Sequence, residues 1–73
     1  MKISGKIQYK SIGIGTWVLG ADDGKVYELY QPPADLRHEN LSVEVEGKIR
    51  EDIMTLAMIG KVLEIISFKI NDH

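Results

Sequence analysis

The chain has 73 residues, a length that predicts one domain spanning residues 1–73. It contains no cysteine, which excludes disulfides and thiolate metal sites. Nine lysine and arginine residues against eleven aspartate and glutamate residues give a net charge of −2. This balance argues against a strong non-specific nucleic-acid binder, because neutralisation of phosphates dominates such binding.

The first predicted strand is KISGKIQYK, at residues 2–10. Ile3, Ile7 and Tyr9 share one face with Gly5, while lysines and other polar residues occupy the opposite face. This alternation is typical of a strand with one buried face. A glycine within the buried row favours a strand that curls, as the strands of a small barrel must.

The next two strands are predicted at TWVLGA, residues 16–21, and KVYELY, residues 25–30. The sequence DDG at residues 22–24 predicts a hairpin between them, because glycine accepts the positive φ of the turn. A phosphate-binding loop is excluded, since Gly15 and Gly20 have the Walker spacing but lack the lysine that must follow.

A loop with one short helical turn is predicted at QPPADLRHEN, residues 31–40, where Pro33 suits a first helical position. The fourth strand is predicted at LSVEVEGKIR, residues 41–50. Gly47 interrupts its apolar row and indicates a bulge or a sharp bend. The apolar residues that alternate with polar ones in this strand are Leu41, Val43, Val45 and Ile49.

The C-terminal third is dense enough in apolar residues for a buried helix, but its β-branched residues favour strands. We predict strands at about 54–59 and 61–70, linked or bent at Gly60. Because both faces of the second segment are largely apolar, we expect a central strand that is covered on both sides or paired with another subunit.

This order of elements predicts a mainly β fold, namely a small five- to six-stranded OB-like Greek-key barrel with one helical turn between strands three and four. An SH3-like barrel is the main alternative. The ten-residue segment with a helical turn at mid-chain favours the OB-like order, because an SH3 barrel has only a short turn or 3₁₀ piece late in the chain.

Three stretches, GTWVLGADDGKVYELYQPP, VEVEGKIREDIMTLAMIG and VLEIISFKI, cover most of the chain. With them the chain resembles a group of small, uncharacterised single-domain OB-fold-like β-barrel proteins of bacteria and archaea. The resemblance implies the fold and the domain boundary, and it implies no activity. At residues 58–60 this chain has MIG, where members of the group tend to carry bulky or aromatic residues.

The usual ligand surface of an OB barrel is the face of strands two and three, where exposed aromatic rings stack on bases. Trp17, Tyr27 and Tyr30 lie on those strands and form the candidate face. The alternative is that Trp17 and one tyrosine belong to the core, since the chain has only one phenylalanine. The candidate cationic neighbours of this face are Lys10, Lys25 and Arg50.

We predict no catalytic residue, metal site or cofactor. Glu44 and Glu46 stand two apart on one strand face, with Glu28 on another strand, but this arrangement is typical of a solvated face. The two histidines, His38 and His73, are far apart and have no cysteine to complete a zinc site.

These observations favour a non-catalytic binding module with a protein partner. One alternative is weak binding of single-stranded nucleic acid on the aromatic face, and another is a homo-oligomer formed through the apolar C-terminal strand. The N-terminus has no apolar run of signal-peptide length, and IMTLAMIG at 53–60 is too short to cross a bilayer, so we expect a soluble, cytoplasmic protein.

Overall fold

The computed structural model describes residues 1–11, 15–55 and 59–71. The described residues form a closed sheet with the strand order β1-β2-β3-β5-β4, in which all neighbours are antiparallel except β3 and β5. This confirms the predicted OB-like barrel with one helical turn between the third and fourth strands. The elements are β1 (Lys2–Lys10), β2 (Thr16–Ala21), β3 (Val26–Tyr30), a 3₁₀ turn (Ala34–Leu36), β4 (Ser42–Ile49) and β5 (Lys61–Ile70).

The two ends of the barrel are built differently. At the helical-turn end, β1 and β3 end, β2 and β4 begin, and the fully buried Leu36 of the 3₁₀ turn packs against the core. At the hairpin end, the turn at residues 22–25 joins β2 to β3, while β4 ends and β5 begins. Gly24 has a φ of 90° in this turn, as the sequence predicted.

Alternate side chains of all five strands fill the barrel interior. Burial of one such valine, leucine or isoleucine stabilises the fold by about 1.5–3 kcal/mol. The interior rows of β1 and β4 are those that the sequence pattern predicted. The buried core consists of Ile3, Ile7, Leu19, Tyr27, Leu29, Leu36, Val43, Val45 and Leu63.

The pairing of β4 with β5 contains an extra residue. Glu46 pairs with Ser67, whereas the next residue, Gly47, pairs with Ile65, so Ile66 has no partner on β4. This register shift is the irregularity that the sequence predicted at Gly47, and it has the form of a β-bulge.

The bulge explains why β5 is apolar at both odd and even positions. Before it, Leu63 lies on the core side opposite Ile49; after it, Phe68 lies on the core side opposite Val45. The strand therefore changes the parity of its inward side chains at Ile66, which is left 67% exposed.

The strand predicted at 54–59 is wrong for the residues described there. Met54, Thr55 and Ile59 are not in a strand, and residues 56–58 lie outside the described residues. The barrel closes without a sixth strand, because β5 pairs with β3 on one side and β4 on the other. The strand predicted at 61–70 is confirmed, and Gly60 lies at a bend just before it.

A close approach of β1 to β2 occurs at Gly5. A Cβ atom at this position would lie 2.2 Å from the carbonyl oxygen of Gly20, well inside any allowed contact. Gly5 pairs with Ala21 and belongs to the buried row of β1. The two backbones therefore approach this closely only because Gly5 has no side chain.

We expect Gly5→Ala to lower the free energy of unfolding by about 2 kcal/mol, because the added methyl group forces the two backbones apart. Gly20→Ala on the facing strand is the matched control, since its Cβ would meet the Gln8 side chain at 3.6 Å, an ordinary contact. Urea denaturation followed by Trp17 fluorescence measures both. Equal losses in the two variants would contradict the steric explanation.

Candidate functional site

The predicted aromatic face is divided between the two sides of the sheet. Trp17 lies on the inward side with Leu19 and packs against the core, half-buried. Its indole makes an edge-to-face contact with Tyr9, with ring centroids 5.0 Å apart and an interplanar angle of 62°. Trp17 and Tyr9 are cross-strand partners near the helical-turn end of the barrel.

Tyr27 is a core residue with 7% of its surface exposed, and it lies toward the hairpin end of β3. Tyr30 is three residues further along the same strand and therefore faces the outside. The prediction that Trp17, Tyr27 and Tyr30 form one candidate face is thus not supported by their positions. The alternative, that Trp17 and one tyrosine belong to the core, describes the geometry.

The middle of the outer face of β2 and β3 is buried. Val18, Glu28 and Val62 are cross-strand partners on β2, β3 and β5, and all three are buried although they point away from the core cluster. Thr55 of the β4–β5 connection donates a hydrogen bond from its hydroxyl to Glu28 Oε2. The connection therefore contacts this part of the surface that usually binds ligands in OB barrels, whereas Val26 at its edge stays 38% exposed.

Glu28 is the one carboxylate among the buried side chains of the described chain, with 1% of its surface exposed. Oε2 accepts the Thr55 hydroxyl, but Oε1 has no hydrogen-bond partner among the described residues. A buried polar atom without a partner costs roughly 1–3 kcal/mol. The sequence pattern placed Glu28 on a wet face and did not predict its burial.

Arg50 is held by two carboxylates. Its Nε and Nη2 atoms donate to the two carboxylate oxygens of Asp52 at 2.9 and 2.8 Å, and Nη1 donates to Glu64 Oε1 at 3.0 Å. The guanidinium carbon also lies 5.9 Å from the ring centroid of Tyr30. These hydrogen bonds raise the pKa of Arg50 above its ordinary value, and the bond to Asp52 contributes more than the bond to Glu64. A predicted phosphate-binding cation is thus already neutralised.

The two predicted lysines lie at opposite ends of the barrel. Lys10 ends β1 and pairs with Thr16 at the helical-turn end. Lys25 lies in the β2–β3 turn, where its carbonyl accepts the Ala21 amide at 2.8 Å. Because Lys10 and Lys25 lie at opposite ends of the barrel, the three predicted cations do not form one strip.

Among the described residues, the carboxylates and the histidine considered in the sequence analysis do not lie together as a catalytic or metal site would require. Glu44 faces Ser4 and Lys69 in the ladders of β4, whereas Glu28 lies two strands away on β3. His38 is exposed, and His73 lies outside the described residues. Over the described ranges, no three histidine, cysteine, aspartate or glutamate side chains come together as metal ligands would.

The sequence analysis named the apolar C-terminal strand as a candidate interface between copies of the chain, and the structure shows which part of this strand has an unpaired edge. Pairing with β3 ends at Tyr30 and Glu64, so residues 65–70 pair with β4 alone among the described strands. The Asn71 amide donates to the Ser42 carbonyl at 2.9 Å. By the alternation of an antiparallel ladder, the amides of Phe68 and Ile70 then point away from β4. The feature of the sequence that could have indicated this unpaired edge is the low charge of residues 65–70, IISFKI.

In the described part of the chain, the search for a helix long and apolar enough to span a bilayer found none. Comparisons of the chain with family models, with curated proteins and with solved structures gave no match.

We expect Glu28→Met to raise the free energy of unfolding by about 1 kcal/mol, because it removes a buried carboxyl whose Oε1 lacks a partner and fills the row between Val18 and Val62 with apolar atoms. Glu44→Met, at an exposed site on β4, is the matched control for lost charge. Urea denaturation of both variants measures the effect. A loss of stability confined to Glu28→Met would contradict the expectation.

The Arg50 hydrogen bonds lower the pKa of Asp52 from 3.8 to about 2. A carboxyl whose pKa is lowered in the folded state stabilises the fold at pH values above its unfolded pKa. This contribution falls as the pH drops from about 4 through about 2, and it is lost below both pKa values. We therefore expect Asp52→Asn to lower the urea midpoint slightly at pH 7 and to have a smaller effect near pH 2. Asp35→Asn makes the same change of charge at another exposed aspartate and is the control.

Proposed function

We propose that the chain is a non-catalytic binding module that adds an extended segment of a partner protein to the free edge of β5. The observation that carries the proposal is this edge, residues 65–70, where one side of the strand has no partner among the described residues. An unpaired strand edge offers backbone donors and acceptors to an incoming strand.

The side chains along this edge favour a peptide with apolar residues. Ile66 is 67% exposed, Ile70 is 37% exposed and Phe68 is half-buried. Lys69 is the one charged residue in the segment. Natural proteins usually protect a free edge with charge, so an apolar edge is typical of a surface that another strand covers.

A second copy of the chain is a less favoured partner for this edge than an extended peptide. The bulge at Ile66 twists the edge, and Lys69 would have to be accommodated in the interface. Both features oppose the flat edge-to-edge pairing of two identical folded sheets. An extended peptide, in contrast, can follow a twisted edge.

Nucleic-acid binding has less support than protein binding. Its proposed rings, Trp17, Tyr27 and Tyr30, point to different sides of the sheet, and Arg50 is neutralised by Asp52 and Glu64. The chain would thus act as a cytoplasmic OB-like barrel that binds its partner through a strand edge instead of the usual face of strands two and three.

The test uses a library of synthetic nine-residue peptides with valine, isoleucine or phenylalanine at alternate positions. We expect members of this library to shift the amide resonances of residues 65–70 and to slow hydrogen exchange at Phe68 and Ile70. Ile66→Glu and Ile70→Glu should abolish these effects. Val26→Glu is the matched control, because Val26 is 38% exposed on another strand.

Three results would contradict the proposal. The first is that no peptide of the library binds. The second is that binding survives in Ile66→Glu and Ile70→Glu. The third is that the free protein sediments as a dimer at micromolar concentration with Phe68 and Ile70 already protected, which would assign the edge to a second copy.

A further inference from the structure

The hairpin end of the barrel contains a cavity of about 420 Å³. Its lining includes Lys25, Tyr27, Ile49 and Lys61, which come from the β2–β3 turn and from the ends of β3, β4 and β5. Binding pockets commonly occupy the mouths of β-barrels and have volumes of about 300–1,000 Å³. We refer to this cavity as the barrel mouth.

Two lysines at the barrel mouth have no carboxylate partner among the described residues. Lys61 is the direct register partner of Tyr27, and Lys25 precedes Tyr27 by two residues on the same side of the chain. The ion pairs of the described residues involve Arg50 and the N-terminal amine, and neither lysine takes part in one. No acidic residue lines this cavity among the described residues.

Tyr27 brings a polar group to the base of the barrel mouth. Its side chain is more than nine-tenths buried, and it lines both this cavity and the adjacent cleft. No hydrogen bond ties its hydroxyl to another described residue, and the hydroxyl is not among the fully buried polar atoms that lack a partner. Solvent therefore reaches the hydroxyl, and a ligand can reach it in the same way.

The adjacent cleft has a different electrostatic character. Asp22 and Asp23 line it together with Lys2 and Lys25. The Asp23 carboxylate accepts the Lys25 amide at 3.0 Å, which holds it in the turn. A bound anion is therefore directed away from this cleft and toward the side where Lys61 lies.

We propose that the barrel mouth binds a small amphipathic anion. Lys25 and Lys61 hold a carboxylate or phosphate head, the Tyr27 hydroxyl donates a hydrogen bond to it, and the apolar body packs against Ile49 and the Tyr27 ring. Charged hydrogen bonds at a partly enclosed site supply orientation, and the apolar wall supplies contact area.

This site is separate from the free edge of β5. The edge comprises residues 65–70, whereas Lys61 at the barrel mouth lies at the opposite end of that strand. Peptide binding and anion binding can therefore fail independently of one another.

The test titrates the full chain, carrying its purification tag at the C-terminus because Met1 also lines the cavity. The probes are octanoate, octyl phosphate, octanol and octylammonium, followed by the amide resonances of residues 25–27 and 60–61. We expect saturable shifts with octanoate and octyl phosphate, weaker shifts with octanol and none with octylammonium. The two anions distinguish a carboxylate site from a phosphate site.

The double variant Lys25→Gln, Lys61→Gln should weaken binding of the anions about tenfold, and Tyr27→Phe about threefold. The double variant Lys6→Gln, Lys10→Gln makes the same change in net charge at exposed positions elsewhere on β1 and should bind normally. Equal binding of octylammonium, shifts centred on residues 65–70, or no loss in the Lys25, Lys61 variant would overturn the proposal.

Discussion

Closure of a five-stranded wall around a small core is the constraint on which the rest of the structure depends. The backbones of β1 and β2 must approach closely, and the contact between Gly5 and Gly20 allows that approach. The pairing of β4 with β5 must also shift its register, and the extra residue Ile66 supplies this shift. The shift at Ile66 decides which side chains of β5 face inward and which stay exposed.

The row of Val18, Glu28 and Val62 is buried in the middle of the outer face of β2, β3 and β5. The Glu28 carboxylate in this row accepts a hydrogen bond from Thr55 of the β4–β5 connection. The surfaces left open are a strand edge on one part of the barrel and its mouth on another. They differ in chemistry, because the first offers backbone groups and apolar side chains, whereas the second offers cations around an apolar wall.

Much of the fold follows from period-two alternation, and much of the candidate site does not. The inward rows of β1 and β4 and the hairpin at residues 22–25 are local patterns that a sequence displays directly. The separation of Tyr27 from Tyr30 could also have been inferred, because residues three apart on one strand point to opposite faces. The neighbourhood of Tyr27 and Lys61 could not, because it depends on a parallel pairing of β3 with β5 whose register is set by the closed barrel.

The position of β5 between β3 and β4 has a consequence for the synthesis of the chain. Two of the strand pairings that close the barrel, β3 with β5 and β4 with β5, require β5. A nascent chain that has emerged only as far as Gly60 therefore leaves β3 and β4 each with an unpaired edge. Contacts between distant parts of the sequence form slowly, and edges left open in the meantime are prone to wrong pairing. The barrel can therefore close only after β5 has been synthesised and has emerged from the ribosome.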